Sequence, residues 1–327
     1  MSKQLARERA ACALSTTTTA ALSALCVAAT TRANANANDV AIASVIAIAS
    51  AFVIASFVLA HVVDPGVCVP NEDDDRATAR TRTIDARVRA SVASASEAAG
   101  EGEGERYADR LEMCVRDAVE SDEEAKAMGM TRDIGGTWTR AGKGETREKF
   151  CSTCSLWRPP RATHCSTCGV CVREFDHHCG VIGNCVGEGN HRFFLALLFF
   201  GAALGALVFT KSVVELASTP WREWRSSAWP YIFVLCSLCG AHALGVLFFF
   251  WSHCGMFVTG ITTKQFSTRR SGESLVELRE RVKGVSARDK CFKVPVRMKA
   301  RAMREFREKR LEDRVVETII SRDDDAV

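Results

Sequence analysis

Two long stretches without charged side chains constrain the fold of this 327-residue chain more than any other feature. Val40–Val63 contains no Asp, Glu, Lys or Arg, and Trp229–Thr263 contains none either. An apolar run longer than about 18 residues is typical of a helix that crosses a lipid bilayer. The hydrophobic content of 47% is ordinary for a soluble protein only because charged segments lie between these runs and after them. The sequence therefore predicts a membrane protein and excludes a single soluble domain.

The N-terminal region, residues 1–39, leaves two interpretations open. A few basic residues precede a weakly apolar run, rich in Ala, Thr and Ser, over 10–30. This run is either a weak first transmembrane helix behind a cytosolic N-terminus or a signal segment removed near the small residues Ala33–Ala37. Both interpretations place the C-terminal end of the next span, 40–63, on the cytosolic side.

Two charged segments separate or follow the predicted spans. Residues 64–149 have few large apolar side chains and are interpreted as a partly disordered cytosolic linker with one helix around Tyr107–Met128. Residues 255–327 form a basic cytosolic tail, which is either a solvated helical segment or a basic surface against anionic lipid headgroups. Arg and Lys are frequent in both segments, as the positive-inside rule requires on the cytosolic side. The predicted later spans are 193–214 and 229–254, joined by a lumenal loop over 215–228.

A cluster of cysteines and histidines lies between Cys151 and Cys185, with seven of the fifteen cysteines and three of the seven histidines. Its C-x-x-C spacings, in which one tight turn supplies two sulfurs, are typical of zinc sites. With four ligands to each zinc, the cluster is large enough for two sites with residues left over. A disulfide framework is not expected in a chain of this length, and the segment has too few apolar residues for a core of buried cysteines. The full spacing is Cys151-x2-Cys154-x9-His164-Cys165-x2-Cys168-x2-Cys171-x4-Asp176-His177-His178-Cys179-x5-Cys185.

The order of these residues resembles the DHHC cysteine-rich domain of protein S-acyltransferases, the palmitoyltransferases of the secretory pathway. Asp176-His177-His178-Cys179 is similar to the motif that gives the family its name. Asp64-Pro65-Gly66 follows the span over 40–63, as the D-P-G motif of the family follows its second span. Other matches are Arg158–Cys165 with K/R-P-x-R-x-x-H-C, Gly183–Gly187 and Asn190–Phe194 with the run into the third span, and Thr262-Thr263 with T-T-x-E.

This resemblance implies an α-helical polytopic membrane protein with about four transmembrane helices and a small cytosolic two-zinc cysteine-rich domain over 150–192. It assigns one structural Zn²⁺ to Cys151, Cys154, His164 and Cys171. It assigns the other to Cys165, Cys168, His178 and Cys185. Asp176, His177 and Cys179 then remain for catalysis.

The chemistry of these three residues predicts acyl transfer. A cysteine thiol is mostly protonated at neutral pH, and a neighbouring imidazole can accept its proton. His177 is predicted to be this base, oriented by the Asp176 carboxylate as in a catalytic triad. Cys179 then attacks a fatty acyl-CoA, typically palmitoyl-CoA, holds the acyl group as a thioester and passes it to a cysteine of a substrate protein.

The position of Cys179, fourteen residues before Phe193, predicts a nucleophile at the cytosolic membrane surface. There an acyl-CoA has its chain in the bilayer and its nucleotide in water. The predicted partners are acyl-CoA, cysteine-containing proteins and the lipid bilayer, with no nucleic acid. The predicted location is the Golgi or the endoplasmic reticulum, with the plasma membrane as the alternative. The candidates for binding CoA phosphates are Arg158, Arg161, Arg173 and Arg192.

Two departures from the family pattern leave alternatives open. Gly180-Val181 replaces the usual Pro-Trp, which the resemblance places near the acyl chain or the cofactor, so rate or acyl preference is expected to differ. Gln265 replaces the Glu of T-T-x-E and is expected to weaken one polar contact. One competing function is a membrane-tethered zinc module that binds proteins or nucleic acid, which leaves the three catalytic candidates without a role. The other is a catalytically silent scaffold, which only Gly180-Val181 supports.

Overall fold

The computed structural model describes residues 37–69, 72–99, 105–132, 137–141, 147–218, 220, 229–282 and 296–309. These residues form two compact units. The helical unit takes its residues from Met1–Gly66 and Phe175–Lys299, and the sheet unit takes its residues from Val67–Glu174 and Ala300–Val327. The two units therefore alternate along the chain.

The helices of the described residues range from 5 to 31 residues, and the strands have 3 to 5 residues. In chain order the helices are α1 (Ala37–Val62), α2 (Glu72–Ala99), α3 (Glu105–Ser121), α4 (Glu123–Ala127), α5 (His191–Ser218), α6 (Trp229–Thr259), α7 (Thr263–Ser267), α8 (Leu275–Val282) and α9 over 299–309. The strands are β1 (Met130–Arg132), β2 (Trp138–Ala141), β3 (Arg147–Cys151), β4 (Leu156–Arg158), β5 (Thr163–Cys165), β6 (Val170–Val172), β7 (His177–Cys179) and β8 (Asn184–Val186).

Among the described residues, three helices are long and apolar enough to cross a membrane. The qualifying segments are Val40–Val62 of α1, His191–Ser218 of α5 and Ser237–Thr259 of α6. They overlap the spans predicted over 40–63, 193–214 and 229–254. The weakly apolar run over 10–30, predicted as a first span or a signal segment, lies outside the described residues.

Small residues bring α5 and α6 close together. A Cβ atom added at Gly205 would lie 3.0 Å from the Cβ atom of Ala243, and one added at Gly240 would lie 2.8 Å from the ring of Phe209. Larger side chains at these glycines would force the helices apart, which is why membrane helices often place small residues at their contacts. Large apolar side chains cover the outer surface, and Leu244 is 71% exposed. Such a surface suits a lipid environment.

The β7–β8 hairpin is attached to the C-terminal end of α1. The Nδ2 group of the fully buried Asn184 donates to the carbonyl oxygens of Ala60, His61 and Val63 at 3.0–3.1 Å. The last carbonyl groups of a helix lack partners within it, and Asn184 contacts two of them, those of Ala60 and His61, as well as the carbonyl of Val63 directly after the helix. The Nδ1 atom of His61 lies 2.6 Å from the carbonyl oxygen of Ile182 in the hairpin turn. An apolar cluster beside this attachment contains Phe57, Ala60, Ile182, Val186 and Phe194.

The sheet unit is built on an antiparallel sheet in the order β1-β2-β3-β4. In its register Met130 pairs with Arg140, and Phe150 pairs with Trp157. The indole nitrogens of two buried tryptophans donate to α2, from Trp138 to Asp85 at 2.7 Å and from Trp157 to Thr81 at 3.1 Å. Both large side chains are therefore buried without an unsatisfied polar group. The core of this unit contains Ile84, Val88, Val119, Ala125, Met130, Trp138, Phe150 and Trp157.

Residues 64–149 contain more structure than the partly disordered linker that the sequence suggested. The helices α3 and α4 lie where one helix was expected around Tyr107–Met128, whereas α2, β1 and β2 were not expected. The apolar stripe of α2 is sparse, since Ile84 and Val88 lie in an Ala- and Arg-rich background. The two tryptophans that hydrogen-bond to α2 follow their partners by 53 and 76 residues. Local composition therefore does not reveal this core.

Candidate active site and zinc sites

Four predicted zinc ligands of the sheet unit lie together. Cys151 ends β3, Cys154 lies in the next turn, and His164 in β5 pairs in register with Cys171 in β6. The Nδ1 atom of His164 lies 3.2 Å from the sulfur of Cys154 and 3.6 Å and 3.9 Å from those of Cys151 and Cys171. Three sulfurs around one imidazole nitrogen form the Cys₃His donor set of many structural zinc sites.

The electrostatics of this group favour a bound cation. Hydrogen bonds to the sulfurs of Cys151 and Cys154, together with burial, raise the pKa of Cys171. The pKa rises because three adjacent thiols cannot readily all become anions. A divalent cation offsets this repulsion, and a coordinating thiol is deprotonated. The donor set therefore fits a zinc ion.

The second predicted set consists of two pairs. In the sheet unit, Cys165 ends β5, and the backbone N–H of Cys168 in the following turn lies 3.5 Å from its sulfur. In the helical unit, His178 of β7 pairs in register with Cys185 of β8, and its Nδ1 atom lies 3.6 Å from the sulfur. Within the part of the chain that the structure describes, Cys151, Cys154, His164 and Cys171 lie close enough together to hold a metal ion.

The β7 strand separates the catalytic candidates from a predicted zinc ligand. Because successive side chains of a strand point to opposite faces, His177 and Cys179 share one face and His178 lies on the other. The Nδ1 group of His177 donates to Oδ2 of Asp176 at 2.8 Å. The side chains of His177 and Cys179 are close enough for each to shift the pKa of the other. The three predicted catalytic residues thus lie next to one another, and Asp176 is only 1% exposed.

Thr263 holds the carboxylate of Asp176, a role that sequence reasoning did not assign. Its backbone N–H donates to Oδ1 and its hydroxyl donates to Oδ2, both at 2.7 Å. Thr263 is fixed at the start of α7 by a capping box between Thr262 and Gln265. Gln at this position supplies the reciprocal hydrogen bond, which Gln and Glu both provide in such motifs. The match of Thr262-Thr263 with T-T-x-E was the sequence pattern that could have indicated this role.

The surroundings of Asp176, His177 and Cys179 shift the pKa values of all three side chains. Burial disfavours ionised Asp176, but hydrogen bonds from His177 and Thr263 and the charge of His191 hold the pKa of the carboxyl group below its usual value. Burial likewise disfavours protonated His177, but hydrogen bonds with Asp176 and Cys179 raise its pKa to about 9. For Cys179, burial is outweighed by hydrogen bonds with His177 and the turn backbone, so the pKa of the thiol is lowered. The arrangement favours a thiolate beside an imidazolium.

His253 of α6 also lies beside the three catalytic candidates, and sequence reasoning missed it. It is 8% exposed, and its Nδ1 atom lies 3.9 Å from Oδ2 of Asp176. Its ring centroid lies 5.7 Å from that of His177, whose other neighbour is the ring of Phe194 at 5.3 Å. The available signal was an ionisable residue near the end of an apolar helix, because such residues in membrane segments are usually functional.

The four arginines predicted for CoA phosphates have different surroundings. Arg161 donates to the carboxylate of Glu174 at 2.6 Å, and both side chains are at least nine-tenths buried, so its charge is already compensated. The guanidinium of Arg192 lies 5.0 Å from the ring centroid of Phe193. Arg158 is half-buried in β4, and Arg173 is exposed directly after β6. Arg161 is therefore the least suited of the four to a phosphate.

The Asp64-Pro65-Gly66 motif forms a tight turn after α1. The backbone N–H of Gly66 donates to Oδ1 of Asp64 at 2.9 Å, and Gly66 has a φ of 107° that a residue with a Cβ atom rarely adopts. The N–H of Gly189 donates to the carbonyl of Pro65 at 3.2 Å. A Cβ atom at Gly189 would overlap the carbonyl oxygen of Asp64, so only glycine fits there. The motif therefore positions the segment that leads into α5.

Comparison with known proteins finds two partial similarities, one of which covers the region around this site. Residues 144–270 match the family model described as DHHC palmitoyltransferase. A stretch of 53 residues is 39% identical to palmitoyltransferase ERF2 of Eremothecium gossypii and covers 16% of this chain. That stretch spans only 14% of the length of the relative. The catalytic candidates and the predicted zinc ligands lie within the region matched by the family model.

Proposed function

We propose that this protein is a protein S-acyltransferase that moves a long-chain acyl group, typically palmitoyl, from acyl-CoA to cysteine thiols of target proteins. The observation that carries this proposal is the hydrogen bond between Asp176 and His177, together with the position of Cys179 beside His177 on the same face of β7. Together these residues supply a nucleophile, a base and a group that orients the base. The DHHC domain over 144–270 supports the same chemistry.

The first step forms an acyl-enzyme on Cys179. His177 accepts the thiol proton, and the sulfur attacks the carbonyl carbon of the acyl-CoA thioester. The tetrahedral intermediate collapses by breaking the bond to the CoA sulfur, which leaves as the thiolate and receives the proton from His177. Asp176 stays ionised and stabilises the imidazolium that exists during this step.

The second step repeats the exchange in the opposite sense. A cysteine thiol of the target protein gives its proton to His177, and its sulfur attacks the acyl group on Cys179. Cys179 leaves as a thiolate and is reprotonated by His177. One thioester replaces another in each step, so the cycle needs no ATP.

The zinc ions are structural in this proposal. One is held by Cys151, Cys154, His164 and Cys171, and the other is held by Cys165, Cys168, His178 and Cys185. Bound zinc would fix the short strands and turns of the cysteine-rich segment, because closed sites of four protein ligands leave no open position for substrate. The reacting groups are then supplied by the protein alone.

The attachment of the β7–β8 hairpin to α1 supports a site at the membrane surface. His61, which contacts the hairpin turn, is the second-last residue of α1. An apolar cavity of about 450 Å³ lies between α5 and α6, lined by side chains that include Ala202, Ala206 and Leu247. Because each buried methylene contributes about 0.8 kcal/mol, apolar surroundings of this kind can bind a long acyl chain. We place the active site on the cytosolic side of a Golgi or endoplasmic reticulum membrane, with the plasma membrane as the alternative.

The proposal is tested with purified protein in detergent or nanodiscs and labelled palmitoyl-CoA. We expect a hydroxylamine-sensitive label on Cys179, located by peptide mass spectrometry, and its transfer to a cysteine-containing acceptor peptide. Cys179→Ser is the matched control and should carry no label while keeping its zinc. A parent protein that binds two zinc ions but acquires no label would favour the catalytically silent scaffold.

A further inference from the structure

His253 approaches the catalytic carboxylate from the membrane helix α6. Its ring is packed against those of His177 at 5.7 Å, Phe194 at 5.1 Å and His191 at 6.2 Å between centroids. Its Nδ1 atom is buried and has no hydrogen-bond partner among the described residues. The same atom faces Oδ2 of Asp176 at 3.9 Å. A buried polar nitrogen without a hydrogen-bond partner lowers the stability of the fold, so the presence of a histidine at this position requires an explanation.

The carboxylate of Asp176 has room for one more donor. Thr263 supplies two hydrogen bonds and His177 supplies one, whereas a carboxylate offers about four lone-pair positions. The Nδ1 atom of His253 lies 3.9 Å from Oδ2 of Asp176, so a movement of about 1 Å brings the two atoms to hydrogen-bond distance. A side chain at the end of α6 can make such a movement without unfolding the helix.

We infer that His253 is a positioning residue for Asp176, and that its Nδ1–H group holds the carboxylate oxygen that orients His177. This inference rests on the proposed function of the Asp176–His177–Cys179 chain. A buried carboxylate near a nitrogen favours the tautomer in which that nitrogen carries the hydrogen. His253 does not touch the reacting sulfur and acts only through Asp176.

The support from His253 concerns the alignment of the base. A donor on α6 keeps Oδ2 of Asp176 in the position from which it orients His177, so that the base does not lose its alignment before the next substrate binds.

Two substitutions separate a polar role from packing. His253→Phe keeps a ring of similar shape but removes the donor, and we expect about tenfold slower single-turnover acylation of Cys179, consistent with loss of a hydrogen bond to a charged group. His253→Gln keeps a donor without the ring, and we expect a rate within about threefold of the parent. The reverse order, with Phe near the parent rate and Gln slow, would show that His253 acts by packing alone. The matched control is His242→Phe, an exposed histidine of the same helix, which should have the parent rate.

Coupling to Asp176 tests whether His253 acts through the carboxylate. In an Asp176→Asn background the charged acceptor is absent, so adding His253→Phe should change the residual acylation rate by less than about twofold. An independent tenfold loss in that background would overturn the inference. Zinc content should be the same in the parent, His253→Phe and His253→Gln. Asp176, His191 and His253 are close enough to hold a metal ion, and a third metal lost with His253 would show that His253 is a ligand instead.

A second readout separates this inference from the proposed function. Alkylation of Cys179 by iodoacetamide, followed at the Cys179 peptide by mass spectrometry, depends on the His177–Asp176 pair and needs no acyl-CoA. If the parent forms no acyl-enzyme, the proposed function fails, but the alkylation rates of the variants still decide the role of His253. Slower alkylation in His253→Phe and near-parent alkylation in His253→Gln support it. Equal rates in the parent and both variants refute it.

Discussion

The two small hairpins of the cysteine-rich segment have the same central residue pair but different predicted roles. In β5–β6 the central pair is His164 with Cys171, and in β7–β8 it is His178 with Cys185. Each hairpin thus places one histidine and one cysteine opposite each other as predicted zinc ligands. The residues on either side of the histidine differ, being Thr163 and Cys165 in β5 but His177 and Cys179 in β7.

In the proposed function, this difference lets one strand supply both a zinc ligand and the catalytic residues. In β7 the alternation of side chains puts His178 on one face and His177 with Cys179 on the other. Cys179 packs against an apolar cluster that includes Phe57 and Ala60 of α1, and Thr263 at the start of α7 holds the neighbouring Asp176. In β5 the outer cysteine is itself a predicted zinc ligand. A cysteine that does not bind zinc, such as Cys179, therefore needs a hairpin whose other face packs against the rest of the protein.

The largest effect is expected from breaking the central pair of either hairpin. Cys171→Ala and Cys185→Ala each remove a fully buried predicted ligand, and the incomplete site should release zinc and unfold the segment. Activity should fall below detection in both. Elemental analysis should give about two zinc ions per chain in the parent and fewer in each variant. Cys114→Ala, a cysteine in α3 outside both sets, is the control and should keep the parent zinc content. A parent value near one would contradict two zinc sites.

A cleaner contrast comes from cysteines at equivalent hairpin positions. Cys179→Ser should abolish self-acylation but leave zinc and folding intact, because serine is a poor nucleophile under a base suited to a thiol. Cys165→Ser, at the matching place in β5, should instead lose zinc. Zinc content and acylation are measured together on both variants. Zinc loss in Cys179→Ser would mean that the free cysteine has been assigned wrongly.

A smaller effect is expected at Thr263, which supports the catalytic face from outside the hairpin. Thr263→Val removes the hydroxyl donor to Asp176 but keeps the backbone N–H, so acylation should slow by about tenfold with zinc unchanged. Thr263→Ser restores the hydroxyl and should recover most of the rate. Thr259→Val, whose hydroxyl bonds to the backbone of its own helix, serves as the control. A rate for Thr263→Val equal to the parent rate would show that the support of Asp176 does not need this hydroxyl.

The smallest effects are expected for the arginines near the hairpins. Arg173→Ala removes an exposed charge directly after β6 and should raise the KM for acyl-CoA a few-fold without changing kcat. Arg161→Ala breaks a buried ion pair with Glu174 and should lower thermal stability with an unchanged KM, because its charge is already compensated. Steady-state kinetics and a thermal unfolding assay distinguish the two. A larger KM change in Arg161→Ala than in Arg173→Ala would reverse this assignment.

The sequence predicted the apolar helices and the cysteine-rich segment because their signals are local. The uncharged runs correspond to α1, α5 and α6, and C-x-x-C spacings lie on tight turns that bring two sulfurs together. The same residues also led to the DHHC resemblance, which agrees with the family match over 144–270. Motif spacing was sufficient here because metal ligands and a nucleophile must lie close together in the chain or on neighbouring strands.

Contacts between distant parts of the chain could not be predicted in the same way. Thr263 meets Asp176 across 87 residues, and Asn184 meets the end of α1 across more than 120 residues. No periodic pattern encodes such pairs, because each depends on how the helices and the hairpin pack. The core around Trp138 was missed for the same reason, since its partners on α2 lie in a segment of low apolar content.

The central claim, that one face of β7 binds metal and the other performs chemistry, is tested most directly by two adjacent substitutions. His177→Ala should keep two zinc ions and a folded segment while slowing acylation of Cys179 by about 10²–10⁴-fold, the contribution of positioned proton transfer. His178→Ala should lose zinc and destabilise the segment, with inactivity as a consequence. Zinc content and single-turnover acylation are measured on both variants in parallel. Zinc loss in His177→Ala with zinc retained in His178→Ala would contradict the account.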